Sequence, residues 1–146
     1  MKYSKGSVGR VFVARLEHGD DLLEELTSLI KKEDIRAGIV HFVGALEKAE
    51  IVVGPEKVEV PPVPMWRSFQ DGREVLGLGT IFWKDTEPKI HIHSGIGRDK
   101  SFHLGCIRKD AKTYLTIEAV IIELEGVKVK RRFDEKTQLN LLEFEG

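Results

Sequence analysis

The chain has 146 residues, about one domain's worth, with 23 Lys and Arg against 24 Asp and Glu and a formal net charge of −1. That balance excludes a general attraction to nucleic acid or to an anionic membrane and leaves only local patches to consider. Cys106 is the single cysteine, so no intramolecular disulfide is possible, and a reducing cytoplasm fits better than secretion.

The N-terminal stretch MKYSKGSVGRVFVARLEHGDD holds no apolar run long enough for a signal peptide. No segment reaches the roughly 20 apolar residues of a membrane span. A soluble cytoplasmic protein without membrane contact is expected. Gln stands only at 70 and 138 and Asn only at 140, against abundant Lys and Glu. Few thermolabile amides beside many Lys and Glu is the thermophile pattern.

GRVFVARLEHG, residues 9–19, reads as a strand with apolar residues on both faces, which predicts an interior position. The period then changes. Leu22, Leu23, Leu26, Leu29 and Ile30 fall at helical spacing. Asp21 with Glu24 resembles a capping box, and Lys31 and Lys32 complement the negative end of the helix dipole. Strands are expected near 37–43, 48–53, 57–60, 73–83, 89–94, 114–124 and 127–133. Turn chemistry separates them at Gly54-Pro55, at Asp71-Gly72, across Lys84 to Pro88 and at Glu125-Gly126, while PPVP at 61–64 reads as an extended loop. The connection EGV predicts an antiparallel hairpin over 114–133. One early helix followed by many strands makes an α+β domain spanning 1–146, a mainly antiparallel, strongly twisted sheet covered by one main helix.

KIHIHSGIGRDKSFHLGC, residues 89–106, holds three of the five histidines. On a strand, His91 and His93 share a face with Cα atoms about 6.5–7 Å apart, close enough for both imidazoles to reach one ion at about 2.0–2.1 Å. Ile90 and Ile92 then point into the core. The stretch that follows, with Gly95 and Gly97, can turn back and bring His103 alongside. Three imidazoles would leave a position for water or substrate, as in catalytic zinc sites. The competing reading is a half-exposed strand with two polar residues and a loop histidine. Cys106 is either a soft fourth ligand or a small buried hydrophobe. His41, between Ile39 and Val43 on an apolar strand, reads as a core or interface residue, and His18, before Gly19-Asp20, as partly exposed.

Several stretches together resemble the PPC (plants and prokaryotes conserved) domain family, in its stand-alone prokaryotic form. GRVFVARLEHGDDLLEELTSLIKKEDIRAGIVHFVGALEKAEI is similar to that family's strand, Gly-Asp-Leu, helix, strand opening. EVLGLGTIFWKDTEPKIHIHSGIGRDKSFHLGC resembles its central block, with the HxH followed by Gly-Gly-His-Leu, and KRRFDEKTQLNLLEF resembles its closing Arg-x-x-Asp-x-x-Thr segment. Phe102 stands where the pattern has the second glycine. The resemblance implies an α+β protomer assembling as a homotrimer, and a metal, zinc above all, held by His91, His93 and His103. It implies no particular reaction. Plant relatives carry an AT-hook, and nothing here matches one.

Two functions follow as expectations. The first is a homotrimeric zinc protein presenting an open three-histidine site to a small ligand; any chemistry would be metal-assisted, the ion polarising a carbonyl or lowering the pKa of bound water. Asp85, Glu87 and Asp99 are the nearest acids, without an assignable catalytic role. The second is a DNA-associated or regulatory module in which the trimer is the functional unit. Its candidate contact is KVKRR, residues 128–132, which reads equally as a solvated edge strand. A cupin-like site ranks last, because no Glu follows the HxH at the expected distance.

Overall fold

The computed structural model describes residues 1–145. Its elements run β1 (Ser7–Glu17), α1 (Leu22–Lys32), β2 (Ala37–Pro55), β3 (Pro64–Phe69), β4 (Arg73–Lys84), β5 (Glu87–Arg98), β6 (Ser101–Glu125), β7 (Val129–Asp134) and β8 (Leu139–Phe144). The α+β class holds, and every named strand pairing is antiparallel.

Asp21 starts the helix as its side chain accepts from the backbone N–H groups of Leu23 and Glu24, satisfying two amides the helix cannot. Leu22, Leu26 and Ile30 are buried, with Leu23 and Leu29 partly buried beside them. The predicted stripe is therefore the face that docks on the sheet.

Strand order is β1-β6-β5-β4-β2-β3, with β6 also pairing β2. The pairings β2–β4, β4–β5, β5–β6 and β6–β2 thus close a ring of four strands, flanked by β1 and β3. Inside it lie Val40, Phe42, Ile81, Ile92, Ile96, Ile117 and Ile121, all nearly inaccessible. Gly77 and Gly79 let β4 come close: a Cβ at Gly77 would overlap the Phe42 ring, and one at Gly79 would press on Ile92 and Val40.

Several expectations need correction. The strands expected at 37–43 and 48–53 are one, β2, which bends through register shifts beginning at Gly44 (φ +146°). Residues 57–60 form no strand, and β3 begins at Pro64, the end of the PPVP stretch. β6 starts at Ser101, well before 114. The hairpin over 114–133 is absent: β6 pairs β1 up to Glu125, Gly126 turns the chain at φ +74°, and β7 pairs β8 in a separate two-stranded sheet. β1 lies at the end of the strand order, and its second apolar face, with Val11 and Val13, is exposed.

That open face extends across the sheet. Register aligns Val13 with Val120, His41 with Leu78 and Val43 with Leu76. Val11, Val13, Val43, Leu76, Leu78 and Leu104 are between 49% and 81% exposed. His91 and His93 stand on the same face.

Candidate metal centre

β5 alternates strictly: Ile92, Ser94 and Ile96 are buried, while His91 and His93 are on the outer side. Period-two geometry places the two imidazoles side by side, as the spacing predicts. Their Nε2 atoms are 2.9 Å apart, and the rings meet edge to face with centroids 4.8 Å apart. At that separation the two nitrogens can share one proton or face one ion, the roles depending on the tautomer. The His91 imidazole titrates below its ordinary value because of burial, then the charges of His93, Arg131 and Arg108. A neutral imidazole is the form that ligates a metal.

The connection from β5 to β6 decides the third donor. Arg98 pairs Ser101, so only Asp99 (φ +50°) and Lys100 lie in the turn. Antiparallel register then sets Cys106 opposite His93 and His103 opposite Ile96. Directly opposed residues share a face, so Cys106 joins the histidine pair. The donor atoms of His91, His93 and Cys106 all lie within 4.8 Å of one another. His103, three residues away, has odd parity relative to Cys106 and faces the other side of the strand, half-buried. Within one protomer the structure brings together His91, His93 and Cys106, and it does not bring His103 to them. Burial raises the Cys106 thiol, with Arg108 opposing that shift.

The donor set fits a metal. Two nitrogens at about 2.0–2.1 Å from one ion in tetrahedral geometry lie roughly 3.3 Å apart, near the 2.9 Å found here. Two imidazoles and a thiol suit zinc or a comparable borderline-soft ion. The acids near the motif do not converge on it: Asp85 and Asp99 occupy exposed turns, and Glu87 pairs with Lys31 at 2.6 Å. His41 is exposed on the outer sheet face opposite Leu78, which makes it a surface rather than a core residue. His18 is exposed and accepts from the Leu115 N–H at 3.1 Å.

His91 and Cys106 also line one end of a cleft of about 420 Å³ between the sheet and the β7–β8 hairpin. Lys89, Arg108, Arg131, Gln138 and Asn140 line the rest of its polar surface, and among the described residues no carboxylate does. Arg131 lies within the basic run 128–132, yet it behaves unlike its neighbours. Lys130 pairs with Glu145 at 2.7 Å and Glu143 at 3.5 Å, and Arg132 pairs with Glu143 at 2.7 Å. Within the run, Lys130 and Arg132 are thus neutralised by neighbouring carboxylates, while Lys128 is exposed. Arg131 points the other way, donating to Thr80 Oγ1 at 3.1 Å and to the Asn140 carbonyl at 3.0 Å. Burial lowers its pKa. The role of Arg131 escaped the sequence reading, although its parity, opposite to that of Lys130 and Arg132 on a strand, was a usable signal.

Among the described residues no helix is long and apolar enough to cross a membrane. The family model for the Plants and Prokaryotes Conserved (PCC) domain matches residues 3–125. No curated protein matches in sequence. A metal-containing protein from Archaeoglobus fulgidus is similar at 28% identity and TM-score 0.84, over 97% of this chain and 98% of that one. A plant- and prokaryote-conserved (PPC) protein from Pyrococcus horikoshii is similar at 25% identity and TM-score 0.84, over 100% and 99% of the two chains. A candidate DNA-binding protein from Bacteroides thetaiotaomicron shares the fold at 17% identity and TM-score 0.79, over 95% and 97%. The match over residues 3–125, most of the chain, places this protein in the PCC domain family.

Proposed function

We propose that this is a homotrimeric metal-binding protein, with zinc as the resident ion, whose open site is presented to a small ligand from the outer face of the sheet. One observation carries the reading: two imidazole Nε2 atoms 2.9 Å apart with a thiol in the same group. Three protein donors leave a coordination position for a ligand. A zinc ion held there supplies Lewis acidity. The protein's part is to hold His91 and His93 in register on a rigid strand and to wall the site with Leu78 and Leu104, neighbours of His93 and Gly95 in the ladder. The similar metal-containing protein from Archaeoglobus fulgidus supports the reading.

Association is supported by the open apolar face, which a lone protomer would leave in water. His103 completes a three-histidine set only by approaching from another copy of the chain. Metal analysis of purified, zinc-supplied protein tests the proposal. Binding is expected to be lost in His91→Ala and His93→Ala, and Cys106→Ala against His103→Ala identifies the third donor. Absence of bound metal in the unaltered protein overturns it. DNA association is the second reading, favoured by the existence of a basic run but opposed by its pairing with Glu143 and Glu145. A gel shift that weakens steeply with salt would favour it.

A further inference from the structure

The cleft beside the metal centre is unlike the rest of the surface in its charge. Lys130 and Arg132 each have a carboxylate within ion-pair distance. Lys89, Arg108 and Arg131 line one cavity, and among the described residues none of the three makes an ion pair. Arg131 is the telling member. It is half-buried, its two terminal nitrogens donate only to neutral oxygens, and its Nε has no partner. A guanidinium taken partly out of water without a counter-ion carries an uncompensated desolvation cost. The protein has abundant acidic residues with which to neutralise it, as it does one position away on either side. Here a neutral threonine and a backbone carbonyl hold the side chain instead, and the positive charge stays in the cleft.

We infer that this cleft is a binding site for a small anion, a molecule bearing a carboxylate or phosphate group, clamped by Arg131, Arg108 and Lys89 with the Asn140 side chain at the rim. The volume of about 420 Å³ is in the range of small-molecule sites. Guanidinium groups suit such oxyanions because their N–H forks match them geometrically. Since His91 and Cys106 line the same cleft, an anion held by the cations lies beside the metal centre. The anion site rests on its own geometry and goes beyond the metal reading.

The test is calorimetric titration of the full chain, stripped of metal by chelation, with inorganic phosphate and separately with malonate at constant ionic strength. Saturable one-to-one binding of at least one probe is expected, and which probe binds separates a phosphate ligand from a carboxylate one. Arg131→Gln and Arg108→Gln should each weaken it by at least about tenfold, as expected for losing a charge-assisted contact. Lys57→Gln, in the exposed connection between β2 and β3 and outside the cleft lining, should leave it unchanged. Arg131 also ties the hairpin to β4, so Arg108→Gln decides if Arg131→Gln does not fold. His93 lies outside the cleft lining, so the His93→Ala protein should lose metal yet keep anion binding, which separates failure of the two proposals. Binding of neither probe, or unchanged binding in Arg108→Gln, overturns the site. So does a result in which these variants weaken binding of a DNA duplex and of neither small anion.

Discussion

Glu123 accepts from Arg10 Nε at 2.7 Å and from Arg10 Nη2 at 3.0 Å, while the same guanidinium reaches the Glu33 carbonyl at the end of α1 at 2.7 Å. Arg10 holds the Glu123 carboxyl below its usual value, mainly by this hydrogen bond and against the opposing effect of burial. A carboxylate with a depressed folded pKa stabilises the fold above the ordinary glutamate value of about 4.3, and that stabilisation is lost as pH falls through the lower folded value. Glu123→Gln should therefore be less stable than the parent at pH 7, and the gap should shrink toward pH 3. Urea unfolding at both pH values checks this; an equal gap at both would count against it. At the metal centre, His91→Ala and His93→Ala should each reduce zinc affinity by at least about 100-fold, beyond the 10–100-fold typical of losing an outer-sphere partner. The histidine pair was legible because HxH spacing needs only a strand. Which side chain stands beside the pair within one protomer was not legible without the turn: two residues between Arg98 and Ser101 set Cys106 there, whereas a return longer by one residue would have changed the parity.

Elements were legible where a period ran unbroken. α1 declares itself by its stripe and cap, and Asp21→Ala should cost about 1 kcal/mol in chemical denaturation, the usual loss for an N-cap carboxylate. β5 alternates strictly and was placed well. β8 was missed because its apolar residues Leu139, Leu141 and Leu142 do not alternate, and β3 because it starts at a proline. The false hairpin over 114–133 arose from reading Glu125-Gly126 as a hairpin turn, although the positive φ at Gly126 serves to send the chain to a different sheet. The glycines of β4 read as weak points in a strand, yet they are sites of close packing. Gly77→Ala should destabilise by roughly 1–3 kcal/mol through overpacking against Phe42, measured by thermal or denaturant unfolding. A neutral outcome would mean that the Phe42 ring yields easily.

At the level of the molecule, the apolar outer face bears on the reading of β1. Two apolar faces predicted an interior strand, and the strand is interior only if another copy covers Val11 and Val13. Val13→Glu with Leu76→Glu should convert an assembly of three times 16.5 kDa into single chains, read by analytical ultracentrifugation. Single chains before the change would refute the trimer. β6 has a further consequence, one that concerns time. Its 25 residues pair with β1, β2 and β5, joining Ser7 to Glu125 and Glu17 to Thr116. A nascent chain emerging from the ribosome must therefore hold β1, with its apolar sides, unpaired until most of the polypeptide has been made, whereas β2 can pair β3 and β4 earlier. Closing such distant pairings first incurs a large loop-entropy cost, so folding belongs at the slow end for its size, in milliseconds to seconds. The same strand that closes the ring and carries Cys106 thus sets the moment at which β1 can join the sheet and the ring can close.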